Sequence, residues 1–83
     1  MANSLHDPRY KRLIELLVAA RKASGITQRE LAQRLKQPPS YIGKLESRQR
    51  RLDVLELVDL LEAMNLKPAK FVADALSQLK RRS

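Results

Sequence analysis

Apolar positions recur along this chain at intervals of three and four, in five runs separated by prolines, a glycine and polar clusters. Such spacing puts each run on one face of a helix, and no stretch keeps the period of two that a strand requires, so the pattern predicts an all-α fold. The first helix is expected over residues 8–23. Asp7 can accept from the first free backbone N–H groups, and Pro8 gives up no needed donor at the first helical position. Leu13, Leu17 and Ala20 should face inward, helped by Ile14 and Val18, and Gly25 supplies the permissive backbone that ends the helix. A second helix over 28–35 opens on Thr27-Gln28-Arg29-Glu30, a reciprocal capping box, with Leu31, Ala32 and Leu35 inward. Pro38-Pro39 breaks it, because each proline lacks an N–H and restrains its predecessor. Pro39 can occupy the first position of a third helix over 39–46 that buries Ile42 and Leu45.

Beyond an exposed basic loop, Arg48-Gln49-Arg50-Arg51, Asp53 and Glu56 give another acid-capped start. The fourth helix should run to Met64, with Val54, Val58 and Leu61 in the core and Asn65 as a left-handed terminator. Pro68 begins a fifth, whose stripe is Phe71, Val72, Ala75, Leu76 and Leu79. Lys80, Arg81 and Arg82 at its end suit the helix dipole and should fray. Neither an internal repeat nor a low-complexity linker interrupts this plan, so residues 1–83 are expected to form a single domain.

The length of 83 residues limits what that domain can do. A chain this short buries only about 60% of its unfolded surface and has no volume for a separate catalytic unit. With no cysteine and the single His6 near one end, it offers neither disulfides nor a metal site, and no cofactor is implied. No nucleophile, base and orienting group recur together and no glycine loop cradles a phosphate, so an enzyme with a small-molecule substrate is not expected. The amino-terminal residues lack a signal-peptide core, and no run approaches the ~18 apolar residues of a membrane span. A soluble, cytoplasmic protein without membrane contact is the expectation.

Charge points to a partner. Residues 1–51 hold 12 Lys/Arg against 4 Asp/Glu, whereas residues 52–83 hold 5 of each, so the whole excess of +8 lies on the first three fifths. Such asymmetry suits a polyanion. Two short helices joined by a brief turn, the second carrying small and polar residues at its start, form the geometry of a DNA-reading helix-turn-helix over about residues 27–47.

At Thr27-Gln28-Arg29-Glu30-Leu31-Ala32 and Ser40-Tyr41-Ile42-Gly43-Lys44-Leu45-Glu46 the sequence resembles the Cro/CI repressor family, often called the XRE family. The likeness covers roughly residues 9–72 and implies a compact five-helix bundle of the lambda-repressor-like type. It also implies that the helix over 39–46 lies in the major groove, with Pro39, Ser40, Gly43 and Lys44 at base-facing positions. Lys44 can donate to guanine O6 and N7 and Ser40 can serve either base type, while Pro39 and Gly43 offer only shape or contact with a thymine methyl. DNA shape then carries part of the specificity. Gln28 matches the family's phosphate-holding glutamine. Tyr41, Ser47, Arg48, Arg50 and Arg51 are further phosphate candidates, with packing against the second helix the alternative for Tyr41. Arg21 and Glu46 look like the family's partly buried ion pair, Arg21 also being a candidate to share a phosphate. Lys36 and Arg48 stand where the family usually has glycine, so each turn is either strained or differently built. At Pro38 the usual polar cap is missing.

The resulting reading is a small sequence-specific regulator of transcription, a repressor or autoregulator, similar to phage Cro-like proteins and to controller proteins of restriction-modification systems. One unit of this size binds few base pairs, so a homodimer on a pseudo-palindromic duplex operator is expected. Its surface is expected within residues 52–82, from the surplus residues Leu57, Leu60, Leu76 and Leu79. The alternatives are a protein-binding adaptor or antitoxin on the same fold, or an RNA binder, which the scattered Tyr10, Tyr41 and Phe71 do not encourage.

Overall fold

The computed structural model describes residues 6–79. They fold into α1 (Pro8–Ala23), α2 (Gln28–Arg34), α3 (Tyr41–Glu46), α4 (Val54–Ala63) and α5 (Pro68–Leu79). Among the described residues there is no strand, as the helical spacing predicted. No helix among them is long and apolar enough to cross a membrane. Lys80, Arg81 and Arg82 lie outside the described residues.

Local acceptors build three of the helix starts. Asp7 accepts the Arg9 N–H at 2.8 Å behind Pro8. Thr27 and Glu30 exchange backbone amides at 3.0 Å each, and that bond to the Thr27 N–H holds the Glu30 carboxyl below its ordinary range. Asp53 and Glu56 repeat the box at 2.7 and 3.0 Å. The third helix departs from expectation, starting at Tyr41 rather than Pro39. Pro38-Pro39-Ser40 forms a turn in which the Pro38 carbonyl accepts the Tyr41 N–H at 2.9 Å. Ser40 occupies the cap position with φ −83° and ψ −5°, already helical, and its hydroxyl makes no capping bond. A serine caps from extended backbone, which this turn denies it.

Helices α1 to α4 share one ending. The residue after each cap turns left-handed, and its amide and the next bond back into the last turn, as in Arg48 N–H to the Leu45 carbonyl and Gln49 N–H to the Lys44 carbonyl, at 3.1 and 3.0 Å. The left-handed residues are Gly25, Lys36, Arg48 and Asn65, at φ 72°, 56°, 61° and 60°. Only Gly25 is free of Cβ strain. Lys36 and Arg48 are therefore the strained alternative, each carrying a penalty on the order of 1–2 kcal/mol.

The core comprises Ile14 and Leu17 from α1, Ile26 from the loop before α2, Leu31 and Ala32 from α2, Ile42 and Leu45 from α3, then Leu52, Leu60, Leu61 and Met64. Leu31, Ile42 and Leu61 are wholly enclosed, and each such burial contributes about 1.5–3 kcal/mol. Several inward assignments shift. Ile14 joins Leu17 as a buried apolar residue of α1, while Leu13, Val18 and Ala20 are half-buried, as is Leu35. In α4 the buried phase is Leu60, Leu61 and Met64 with Leu57 packed beside them, whereas Val54 is 74% exposed. Val54 opens the helix beyond the end of the core, and α2 and α5 both press on the other phase.

Helix α1 packs on α3 and α5, α2 on α3 and α4, and α4 on α5. Long side chains tie the layers. Arg34 donates to the Ala63 carbonyl at 2.7 Å, joining α2 to the end of α4. Arg12 reaches Gln78 on α5, and the Tyr10 hydroxyl accepts the Leu52 N–H at 3.0 Å.

Candidate nucleic-acid interface

Ile42 and Leu45 root α3 in the core, which turns positions 40, 43, 44 and 47 outward. Pro39, Ser40, Lys44 and Ser47 are exposed and Gly43 is half-buried. Lys44 has no side-chain bond among the described residues, so its ammonium is free for a ligand. A Cβ placed on Gly43 would meet Gln28 Oε1 at 3.5 Å, an ordinary contact. The Gln28 amide thus lies against the outward side of α3.

The end of α3 is fixed from behind. Glu46 accepts Arg21 Nε at 2.6 Å and Nη2 at 3.1 Å, while Arg21 Nη1 donates to the Ile26 carbonyl at 2.9 Å. Their side chains are only 10% and 15% exposed, so the expected ion pair is present and enclosed. Gln28 Nε2 also donates to Glu46 at 2.7 Å. One carboxylate at the end of α3 therefore orients a side chain from α1 and one from α2. Arg21 thus places three of its five N–H donors on Glu46 and Ile26, with its side chain 10% exposed.

A second network fixes the basic loop. Arg50 Nη2 pairs with Glu56 at 2.6 Å and its guanidinium lies 5.2 Å from the centre of the Tyr41 ring. The Tyr41 hydroxyl donates to the same carboxylate at 3.0 Å. Arg50, then the Asp53 amide and the Tyr41 hydroxyl, hold the Glu56 carboxyl below its ordinary range against the opposing effect of burial. Burial first, and then donation to Glu56, raises the Tyr41 phenol. Tyr41 and Arg50, phosphate candidates from the sequence, are engaged with each other and with Glu56 of α4, and the Arg50 side chain is 45% exposed. Sequence reasoning saw Glu56 only as a cap; its wider role joins positions far apart in the chain and has no local signal.

Elsewhere, the Ser47 hydroxyl accepts from Gln49 at 2.9 Å. Arg48 is half-buried and Arg51 exposed, and neither side chain has a partner among the described residues. Arg29 on α2 and Lys36 in the turn are likewise unpaired, and the sequence reading had not selected either. On the opposite side, of the residues expected at a dimer surface, Leu60 is enclosed within this chain at 5% exposure and Leu57 is half-buried against the core. Leu76 is exposed and Leu79 half-buried, and the exposed apolar residues of α4 are Val54 and Leu55.

The helix-turn-helix family profile matches residues 17–71, from the middle of α1 into α5. Among solved structures, the chain is similar to an XRE-family like protein from Pseudomonas syringae pv. tomato str. DC3000, with 39% identity and a TM-score of 0.84 over 93% of this chain and 94% of that one. It shares its fold with the clp gene regulator ClgR from Corynebacterium glutamicum, with 24% identity and a TM-score of 0.71 over 86% of this chain and 76% of that one. No curated protein matches it. The matched profile contains the whole of α2, the turn and α3, and the Pseudomonas likeness runs nearly the full length of both chains, so the chain belongs to the XRE family of DNA-binding helix-turn-helix regulators.

Proposed function

We propose that residues 1–83 act as one sequence-specific duplex-DNA-binding unit that represses or autoregulates transcription in the cytoplasm, with α3 in the major groove. The observation that carries this reading is the outward side of α3. Ser40 at the cap and Lys44 on the outward side belong to a short helix rooted by two buried residues and clamped by Glu46, with the Gln28 amide alongside. In that role Lys44 meets base edges and Gln28 a flanking phosphate, its second amide hydrogen remaining available while the first stays on Glu46. Arg29, Arg48 and Arg51 are unpaired cations on the elements around α3 and supply further backbone attraction.

The aromatic residues support duplex over single-stranded nucleic acid. Tyr10, Tyr41 and Phe71 are all half-buried, and stacking platforms need exposed rings in series. A homodimer on a pseudo-palindromic operator completes the reading, with the apolar Leu55 and Leu76 on the near-neutral part of the chain as its contact residues. Titration of a duplex chosen by the protein from a random pool, repeated at several salt concentrations, tests the proposal. Affinity should fall steeply as salt rises, because bound cations displace condensed counterions. Salt-independent binding, or failure to enrich any sequence, would refute it.

A further inference from the structure

A helix of six residues cannot hold its own direction, since isolated helices shorter than about 12 residues are marginal in water. What surrounds α3 must set it. Glu46 fixes its end, but its start has no side-chain cap, because Ser40 makes no capping bond. Tyr41, the first residue of the helix, reaches out instead. Its hydroxyl donates to Glu56 Oε2 at 3.0 Å, fifteen residues on in α4. Burial, and then Glu56, raises the phenol, so it keeps the proton it donates. The accepting carboxylate is itself fixed at two further points. Glu56 Oε1 takes the Asp53 N–H at 3.0 Å, inside the capping box that starts α4. Arg50 Nη2 lies 2.6 Å from Oε2, and its guanidinium 5.2 Å from the centre of the Tyr41 ring, which closes a triangle around the bond. The Glu56 side chain is 19% exposed, so water competes little for these donors.

We propose that Glu56 is a positioning residue for base reading: through the Tyr41 hydroxyl it sets where the Ser40 end of α3 lies, and so determines discrimination at the base pair that Ser40 faces. The inference rests on the base-reading role of α3 given above. Six residues at a rise of about 1.5 Å span roughly 9 Å, so a displacement of about 1 Å at Tyr41 with Glu46 held tilts the helix by roughly 6°. Ser40, beside Tyr41, moves by the full amount, which is more than a hydrogen bond to a base edge tolerates. Lys44 lies close to the fixed end and moves less than half as far, and its flexible stem takes up the difference. Glu56 needs no contact with DNA for this effect.

The test uses the full chain and the duplex it selects from a random pool, with competition binding against single-base changes at every position. Ser40→Ala and Lys44→Ala first mark the base pairs that the two residues face. Tyr41→Phe removes only the hydroxyl and keeps the ring beside Arg50. It should lower discrimination at the Ser40-facing pair by about three- to tenfold and leave the Lys44-facing pair as in wild type. Glu56→Ala should relax the same position, and the double variant should add nothing there, because both changes cut one bond. Glu62→Ala, which removes an equal charge from an exposed part of α4, should keep the wild-type profile. Melting curves set a temperature at which every variant is folded, so that lost discrimination is not lost protein. A purely structural role for Glu56 would instead weaken binding by one factor on every sequence. Wild-type profiles in Tyr41→Phe and Glu56→Ala, a uniform loss in both, or a Ser40→Ala profile that marks no position overturn the positioning role and leave base reading by Lys44 standing. A loss in Tyr41→Phe that Glu56→Ala does not share overturns it as well, and gives the hydroxyl to the DNA itself. A wild-type protein that enriches no sequence overturns both this inference and the reading it rests on.

Discussion

Replacing Arg21 by alanine removes three donated hydrogen bonds at once, two to Glu46 at 2.6 and 3.1 Å and one to the Ile26 carbonyl at 2.9 Å. Glu46 keeps only Gln28, and its side chain is 15% exposed. A carboxylate left so enclosed without its counter-charge costs about 3–5 kcal/mol, compared with under about 1 for an exposed pair. The chain has 83 residues, and at roughly 0.05–0.15 kcal/mol per residue its whole stability is about 4–12 kcal/mol. Arg21→Ala should therefore remove about a quarter or more of it. Urea denaturation of Arg21→Ala, Glu46→Ala and the double variant measures the effect, the double losing less than the sum because neither charge is then stranded. DNA affinity should fall with stability, since Glu46 also orients Gln28. Both single variants within about 1 kcal/mol of wild type would refute the reasoning and place the pair with weak surface bridges.

The Arg50–Glu56 pair, 2.6 Å long, gives a pH-dependent expectation. A carboxyl lowered in the folded chain favours folding above its unfolded value near 4.3, and that contribution is lost as pH falls through the lower folded value. Glu56→Gln should be less stable than wild type at neutral pH and converge with it in acid; melting curves separated by a constant interval down to pH 3 would contradict this. Leu55→Glu and Leu76→Glu, on residues 75% and 57% exposed, should remain folded but sediment as monomers and bind the operator more weakly. A wild type that is already monomeric at high concentration would remove the dimer.

What was legible in the sequence was local. Asp7, Thr27 with Glu30, and Asp53 with Glu56 announce helix starts because each cap satisfies amides within three residues, and the left-handed endings at Gly25 and Asn65 follow from residue type. The start of α3 was less legible, since Pro38-Pro39-Ser40 is compatible with a first helical turn and with a preceding one. Helix α4 offers two apolar phases, through Val54, Val58 and Leu61 or through Leu57, Leu60, Leu61 and Met64. Only the positions of α2 and α5 choose between them, which is why Leu60 was expected outside and lies within. Within the candidate interface, the Arg21–Glu46 pair and the outward positions Ser40 and Lys44 were legible through family resemblance. Arg50 was not, because an arginine run gives no sign that one member will turn back onto Tyr41 and Glu56.

That α3 reads bases while Gln28 holds the backbone is the claim on which the account turns, and competition binding against a panel of single-base operator changes tests it most directly. Lys44→Ala should lose discrimination by about 1–3 kcal/mol at one position in each half-site and keep it elsewhere. Gln28→Ala should weaken binding by a similar factor on every sequence and leave the preference intact. An unchanged preference profile in Lys44→Ala, or a rewritten one in Gln28→Ala, would contradict the assignment.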